Sequence, residues 1–180
     1  YRYPAATMFF TDYCADEALA PRAPLPRPGD ELRVVMCGNL ATNRSTNEQD
    51  WGYLEIAKRF ARDGVHLHIY PHPRQVASPK FQEEFADYLE LQAASPYFHL
   101  ESPVAMEQLR AEMHRYHIGI NTSFALQPHL ARMSYAPAYL RYCLSARNIE
   151  YLEAGIPLIL TKQIHPAQYY MMKRYGIAID

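Results

Sequence analysis

The sequence predicts an α/β fold, a Rossmann-like doubly wound parallel sheet. Three observations carry that prediction. Short apolar runs alternate with longer segments of helical periodicity across residues 32–180. The apolar runs are short, as in strands buried within a sheet. Glycines and prolines stand where one pattern gives way to the next, so each strand feeds a helix and successive strands lie parallel.

The elements follow in order. Residues 1–31 carry Pro21, Pro24, Pro26 and Pro28, followed by Gly29, and read as a linker or strap lying over a surface. Leu32 to Cys37 is the first strand, leaving into a loop at Gly38-Asn39. Ser45-Thr46-Asn47-Glu48 has the form of a capping box and predicts a helix start. The helix has a wide apolar face of Tyr53, Leu54, Ile56, Ala57, Phe60 and Ala61, and Gly64 stops it. Val65 to Tyr70 is the second strand, ended by Pro71-His72-Pro73. A helix is expected over Pro79 to Gln92, with Phe81, Phe85, Tyr88 and Leu89 on one side. Tyr97 to Leu100 is the third strand.

Pro103 to Tyr116 predicts a helix with proline near its first turn, where the missing N–H costs nothing. His117 to Asn121 is the fourth strand. Thr122 to Pro137 is a long irregular segment, the kind that carries function, and a helix follows from about Ala138. After Ala146 come a short helix, a strand at Leu158 to Leu160, a helix near Ala167 to Tyr175 and a last strand at Ile177 to Ile179.

Composition narrows the function. The 180 residues suit one domain or a little more, and 49% of them are hydrophobic, enough for a core. Eighteen basic residues against 19 acidic ones give a net charge of −1, so no global field recruits nucleic acid or an anionic membrane. Tyr135, Tyr139, Tyr142 and Tyr151, with Arg132, Arg141 and Arg147, could stack on bases. The charge balance argues against nucleic acid, and the spacing of Tyr139 and Tyr142 suits core packing. No run approaches a membrane span and no signal peptide is visible. Cys14, Cys37 and Cys143 have no metal-type spacing and read as reduced thiols of a cytoplasmic protein. The chain opens without an initiator Met and reads as part of a longer protein.

Ligands of open α/β sheets bind at the carboxyl ends of the strands. The loops after Cys37, Tyr70, Leu100, Asn121 and Leu160 are therefore the places to look. Gly38 either makes the turn only or lets backbone N–H groups approach an anion, helped by the next helix N-terminus. No GxGxxG or Walker sequence is present. Glu150 is either a solvated capping carboxylate or a hydrogen-bond acceptor for two ribose hydroxyls. His66 and His68 share one strand face with His72 just beyond, and His-x-His can chelate zinc. No Asp, Glu or Cys lies at close spacing, so they are read as polar residues at a sheet–helix interface or loop end, and no metal is expected. His114 and His117 straddle a helix end and are read as capping or surface groups.

The most specific segment is Ala146-Arg147-Asn148-Ile149-Glu150-Tyr151-Leu152-Glu153-Ala154-Gly155-Ile156-Pro157. It resembles the donor-sugar motif of GT-B glycosyltransferases, in which a Glu stands five residues before the Gly of a Gly-x-Pro. Glu150 and Gly155-Ile156-Pro157 have that spacing. The resemblance spans roughly residues 31–180, the donor-binding half of such an enzyme. It implies that residues 32–180 form a nucleotide-sugar-binding domain whose partner is an N-terminal Rossmann-like domain of the same protein. Glu150 would bind the donor ribose, Gly38 and Asn39 would line the phosphate side, and Arg147, Asn148 and Arg44 would complete the site. Relatives often carry Lys at the position of Arg147.

Transfer would need no metal or other cofactor, with the nucleotide-sugar as substrate and a glycan, lipid or small molecule as acceptor. The chain departs from the pattern in two places. Tyr142 stands where many retaining members have a first Glu, and Trp51-Gly52 where a Lys-Gly is expected. These departures keep two alternatives beside the transferase: a catalytically inactive binding module and a nucleotide-sugar epimerase of the same fold. No catalytic residue is assigned, and the chain by itself is expected not to turn over.

Overall fold

The computed structural model describes residues 27, 29–40, 53–121, 145, 147–160, 169, 170, 173, 178 and 179. The predicted strap, the capping box at Ser45, the loop after Asn121 and the helix from Ala138 lie outside them. So do Arg44, Trp51 and Tyr142.

Among the described residues six strands form one sheet: β1 (Arg33–Gly38), β2 (His66–Pro71), β3 (Phe98–Leu100), β4 (Ile118–Ile120), β5 (Leu158–Ile159) and β6 (Ala178–Ile179). Every pairing is parallel and the order is β3-β2-β1-β4-β5-β6. This is the doubly wound arrangement that the sequence predicts. The chain runs outward from β1 to β3, then crosses back to lay β4 on the other side of β1. The carboxyl ends of β1 and β4 therefore diverge into a crevice.

Strand alternation builds two cores. Val34 and Met36 of β1, Leu67 and Ile69 of β2 and Phe98 of β3 face α1 (Tyr53–Arg62) and the helices that follow β2. Those helices are α2 (Pro73–Val76), α3 (Phe81–Glu84) and α4 (Ala86–Ala94). On the opposite face Val35, Cys37, Tyr70 and Leu158 pack with residues of α5 (Met106–Met113) and α6 (Arg147–Glu153). Burying each such aliphatic side chain contributes about 1.5–3 kcal/mol.

Two helix ends explain their glycines. Gly64 (φ 71°) and Gly155 (φ 66°) have left-handed backbones. Val65 N–H donates to Phe60 O at 2.9 Å, and Ile156 N–H donates to Tyr151 O at 3.1 Å. Each glycine turns the chain out of its helix while satisfying a terminal carbonyl.

Some boundaries differ from the sequence prediction. The helix expected over Pro79 to Gln92 is split between α3 and α4 at Phe85 (φ −108°, ψ 16°). The break keeps Phe81, Phe85 and Tyr88 all buried, with successive ring centroids 4.8 and 6.1 Å apart. The helix expected from Pro103 begins at Met106, because Ala105 is still extended (φ −64°, ψ 156°). His117 is not a helix cap. Its Nδ1 accepts the Arg33 N–H at 3.1 Å, fastening the start of β4 to β1.

Gly119 is needed at the centre of the sheet. A Cβ there would stand 2.8 Å from the Tyr151 ring and 2.9 Å from Leu158. The Tyr151 ring occupies that space and is fully buried. Its hydroxyl accepts the Cys37 N–H at 3.1 Å and donates toward Ile120 O at 3.3 Å or Val35 O at 3.4 Å. One side chain from α6 thus ties β1 to β4 beneath the crevice.

Candidate functional site

A cleft of about 480 Å³ opens at the carboxyl ends of β1 and β2. Its walls come from four segments. Cys37, Gly38 and Asn39 end β1, and Tyr70 to Pro73 lead from β2 into α2. Val104, Ala105 and Leu109 come from the start of α5, and Ser145, Arg147 and Glu150 from the start of α6. The crossover that places β4 beside β1 brings the first and last of these together.

Arg147 lies against Gly38. Gly38 has φ 103°, and a Cβ on it would collide with the Arg147 guanidinium. The glycine therefore permits a backbone turn and makes room for a cation. Arg147 Nη1 also donates to Asn121 Oδ1 at 3.3 Å, from the end of β4. Burial works against the guanidinium charge, but Tyr53, Tyr151 and Cys37 around it outweigh that and raise its pKa. Arg147 is thus a fixed, half-buried positive charge in the cleft wall.

Glu150 stands one helical turn further along α6 and also lines the cleft. Burial pushes its carboxyl pKa up; Arg147 pulls it down, Glu153 adds to the rise and Arg110 opposes it. Among the described residues nothing hydrogen-bonds to its side chain. Its neighbour Glu153 is buried and lies 2.8 Å from Arg110 Nη2, an ion pair that joins α6 to α5.

The other predicted site residues divide. Asn39 is exposed on the cleft rim. Asn148 does not line the cleft. It is completely buried and its Oδ1 accepts from Asn121 Nδ2. The turn of α6 that points Arg147 and Glu150 at the cleft points Asn148 at the end of β4. Asn148 therefore braces Asn121, which in turn holds Arg147. Arg44 lies outside the described residues.

Sequence reasoning missed Asn121 and Tyr53 as supports of Arg147, and the apolar wall of Val104 and Leu109. Asn121 had a signal, being the last residue before the fourth loop at the ligand-binding edge. Tyr53 had none, since it reads as one more residue of an apolar helix face. Cys37 touches the cleft, yet burial pushes its thiol up to about 12. At neutral pH it is a protonated packing group and not a nucleophile.

Among the described residues the cleft offers one fixed cation, one carboxylate, backbone N–H groups at the end of β1 and a short apolar wall. That set can hold a ligand with an anionic part and neighbouring hydroxyls. Comparison with protein-family models gave no match, and comparison with curated proteins gave none. Among the described residues no helix is long and apolar enough to cross a membrane.

Proposed function

We propose that this chain is the donor-binding domain of a GT-B glycosyltransferase, holding a nucleotide-sugar in the cleft between β1 and α6. The observation that carries the reading is the seating of Arg147 over Gly38, with Glu150 one turn away on the same wall. A donor diphosphate would lie against Arg147 and the N–H groups of Gly38 and Asn39, and Glu150 would accept hydrogen bonds from the ribose hydroxyls. As the bond from sugar to diphosphate breaks, negative charge grows on the departing phosphate. A cation already fixed in place stabilises that charge without having to reorganise. Arg147 has that character through Asn121 and Tyr53. The acceptor would be a glycan, lipid or small molecule bound by an N-terminal Rossmann-like domain of the same protein. Reduced thiols such as buried Cys37 suit a cytoplasmic setting.

A binding module without catalysis is the second reading, and one observation favours it. Among the described residues lining the cleft, Arg147 is the only Arg or Lys.

Calorimetric titration of the chain with UDP, GDP and ADP tests the reading. One nucleoside diphosphate should bind with a micromolar Kd, and Glu150→Ala should weaken it about tenfold, one ribose contact being worth about 1.4 kcal/mol. No binding of any of the three to folded protein would overturn the proposal. Assay of the full-length protein for transfer separates enzyme from module.

A further inference from the structure

β2 and β3 carry a second constellation, toward the opposite end of β2 from the cleft. His66 and His68 project from the same face of β2, and His99 stands on β3 directly beside His68 in the parallel register. One ring nitrogen from each of the three lies within 4.8 Å of those from the other two. His66 Nδ1 and His99 Nε2 face each other at 3.0 Å. His68 is buried, with 7% of its surface exposed. Its Nδ1 lies 2.7 Å from Glu101 Oε1. Among the described residues its Nε2 is buried with no hydrogen-bond partner.

We infer that these three histidines form a binding site for a divalent transition-metal ion of the zinc type. The tautomers lead there. With Glu101 accepting the Nδ1 proton of His68, Nε2 is left with a buried lone pair that nothing among the described residues meets. A buried polar atom in that position needs a partner, and a metal ion supplies one. Glu31 Oε2 lies 3.8 Å from His66 Nε2, so a carboxylate stands behind that ring too. Carboxylates behind ligating imidazoles fix the tautomer and raise the basicity of the metal-facing nitrogen.

Separation and charge agree. Two imidazole nitrogens bound to one tetrahedral zinc at about 2.0–2.1 Å stand about 3.3 Å apart. The His66–His99 pair is already close to that. The rings are stacked, with His68 and His99 centroids 4.1 Å apart and 15° between planes. Convergence on one ion therefore requires rotation about the Cβ–Cγ bond, a broad torsion for histidine. His99 is half-buried and stands on the edge strand. Two carboxylates, Glu31 and Glu101, stand beside the rings, where they would help to balance the charge of a divalent cation. The fourth position would be left to solvent.

Titrating the full chain with Zn2+ by calorimetry at pH 7.5 tests the site. One ion should bind with a Kd below micromolar. His68→Ala and His99→Ala should each weaken binding at least 100-fold, and Glu101→Gln about 10- to 100-fold. His114→Ala, on an exposed histidine at the end of α5, should leave it unchanged. Co2+ should give the intense visible absorption of a four-coordinate ion, and lose it in His99→Ala. Circular dichroism of each variant checks folding, and Zn2+ should raise the melting temperature of the wild type but not of His99→Ala. Wild-type affinity in folded His99→Ala, or a wild-type Kd weaker than about 100 μM, would overturn the proposal.

Discussion

The centre of the sheet and its β2–β3 edge use buried polar groups differently. At the centre, where β1 meets β4, one chain of buried groups is matched link by link, although Arg33 Nε and the ion-paired Glu153 Oε2 lack hydrogen-bond partners among the described residues. Tyr151 takes the Cys37 N–H, Asn148 takes Asn121, and Asn121 takes Arg147. At the β2–β3 edge three imidazoles stack on a face that other sheets fill with aliphatic side chains, and one buried nitrogen has no partner among the described residues. The centre is organised to hold its own residues still, which a binding cleft needs. The edge is organised around a partner outside the chain. A satisfied chain of hydrogen bonds rigidifies, whereas an orphaned buried nitrogen within a cluster of imidazoles marks a place where something else belongs.

Overpacking is the harshest way to probe that contrast. Gly119→Val should destabilise the fold by about 3 kcal/mol or more, because the new side chain meets the Tyr151 ring and Leu158 within a closed layer. His99→Val on the edge strand should change stability by about 1 kcal/mol at most, since valine suits a half-buried strand position. Urea denaturation measures both. Similar losses at the two positions would erase the distinction between a packed centre and an adaptable edge.

Next in size is Tyr151→Phe. It leaves the Cys37 N–H buried and unpaired at a cost of about 1–3 kcal/mol. Close behind is Gly38→Ala, which strains the backbone at φ 103° and drives a methyl group into Arg147. Strain of that kind costs about 1–2 kcal/mol before the collision is counted. The collision is testable separately. In a double-mutant cycle with Arg147→Ala the two losses should fall short of additive, because removing the guanidinium vacates the space. Strict additivity would mean that Gly38 serves the turn alone.

The centre was largely legible in the sequence, and the edge was not. Glu150, Gly155 and Pro157 lie within one continuous segment, so helix, left-handed stop and strand could be placed from local rules. The same rules placed Gly38 at the end of a strand and Gly64 at the end of a helix. The histidine site depends on strand pairing. His99 is 33 residues from His66, and only the parallel register of β2 with β3 sets it beside His68. His66-x-His68 was visible, but its third member has no local signal. Asn148 failed for a related reason. Its neighbourhood in sequence pointed to the ligand, while the helical turn sent its side chain to Asn121. The start of α5 was misplaced because proline is tolerated in a first turn but does not require one at that position.

Glu150 gives a smaller effect with a definite sign. Burial raises its folded pKa above the ordinary carboxylate value, so the folded state holds the proton more tightly than the unfolded chain does. Stability therefore falls as pH rises from the unfolded value of 4.5 through the raised folded one. Glu150→Gln should stabilise the free protein at pH 7, with the gain vanishing below about pH 4. Nucleotide affinity should fall in the same variant. A residue whose charged form the fold disfavours, and which binding needs, is a mark of the cleft rather than of the frame around it.

The smallest effect concerns a histidine at the centre of the sheet. His117 Nδ1 accepts the Arg33 N–H, so this ring must be unprotonated at Nδ1. Burial lowers its pKa from 6.5, and the Arg33 charge lowers it further, against a smaller opposing effect of Asp30. The stability it contributes is fully present above pH 6.5 and is lost as pH falls through the depressed folded value. His117→Asn keeps an acceptor without a titration in this range. It should cost about 1 kcal/mol or less at pH 7.5 and flatten the decline of stability with acid below pH 6.5, read from denaturation midpoints at several pH values. An unchanged slope would mean that the Arg33 contact does not depend on the neutral ring. Histidine would then be no better accommodated at the centre of this sheet than at its edge.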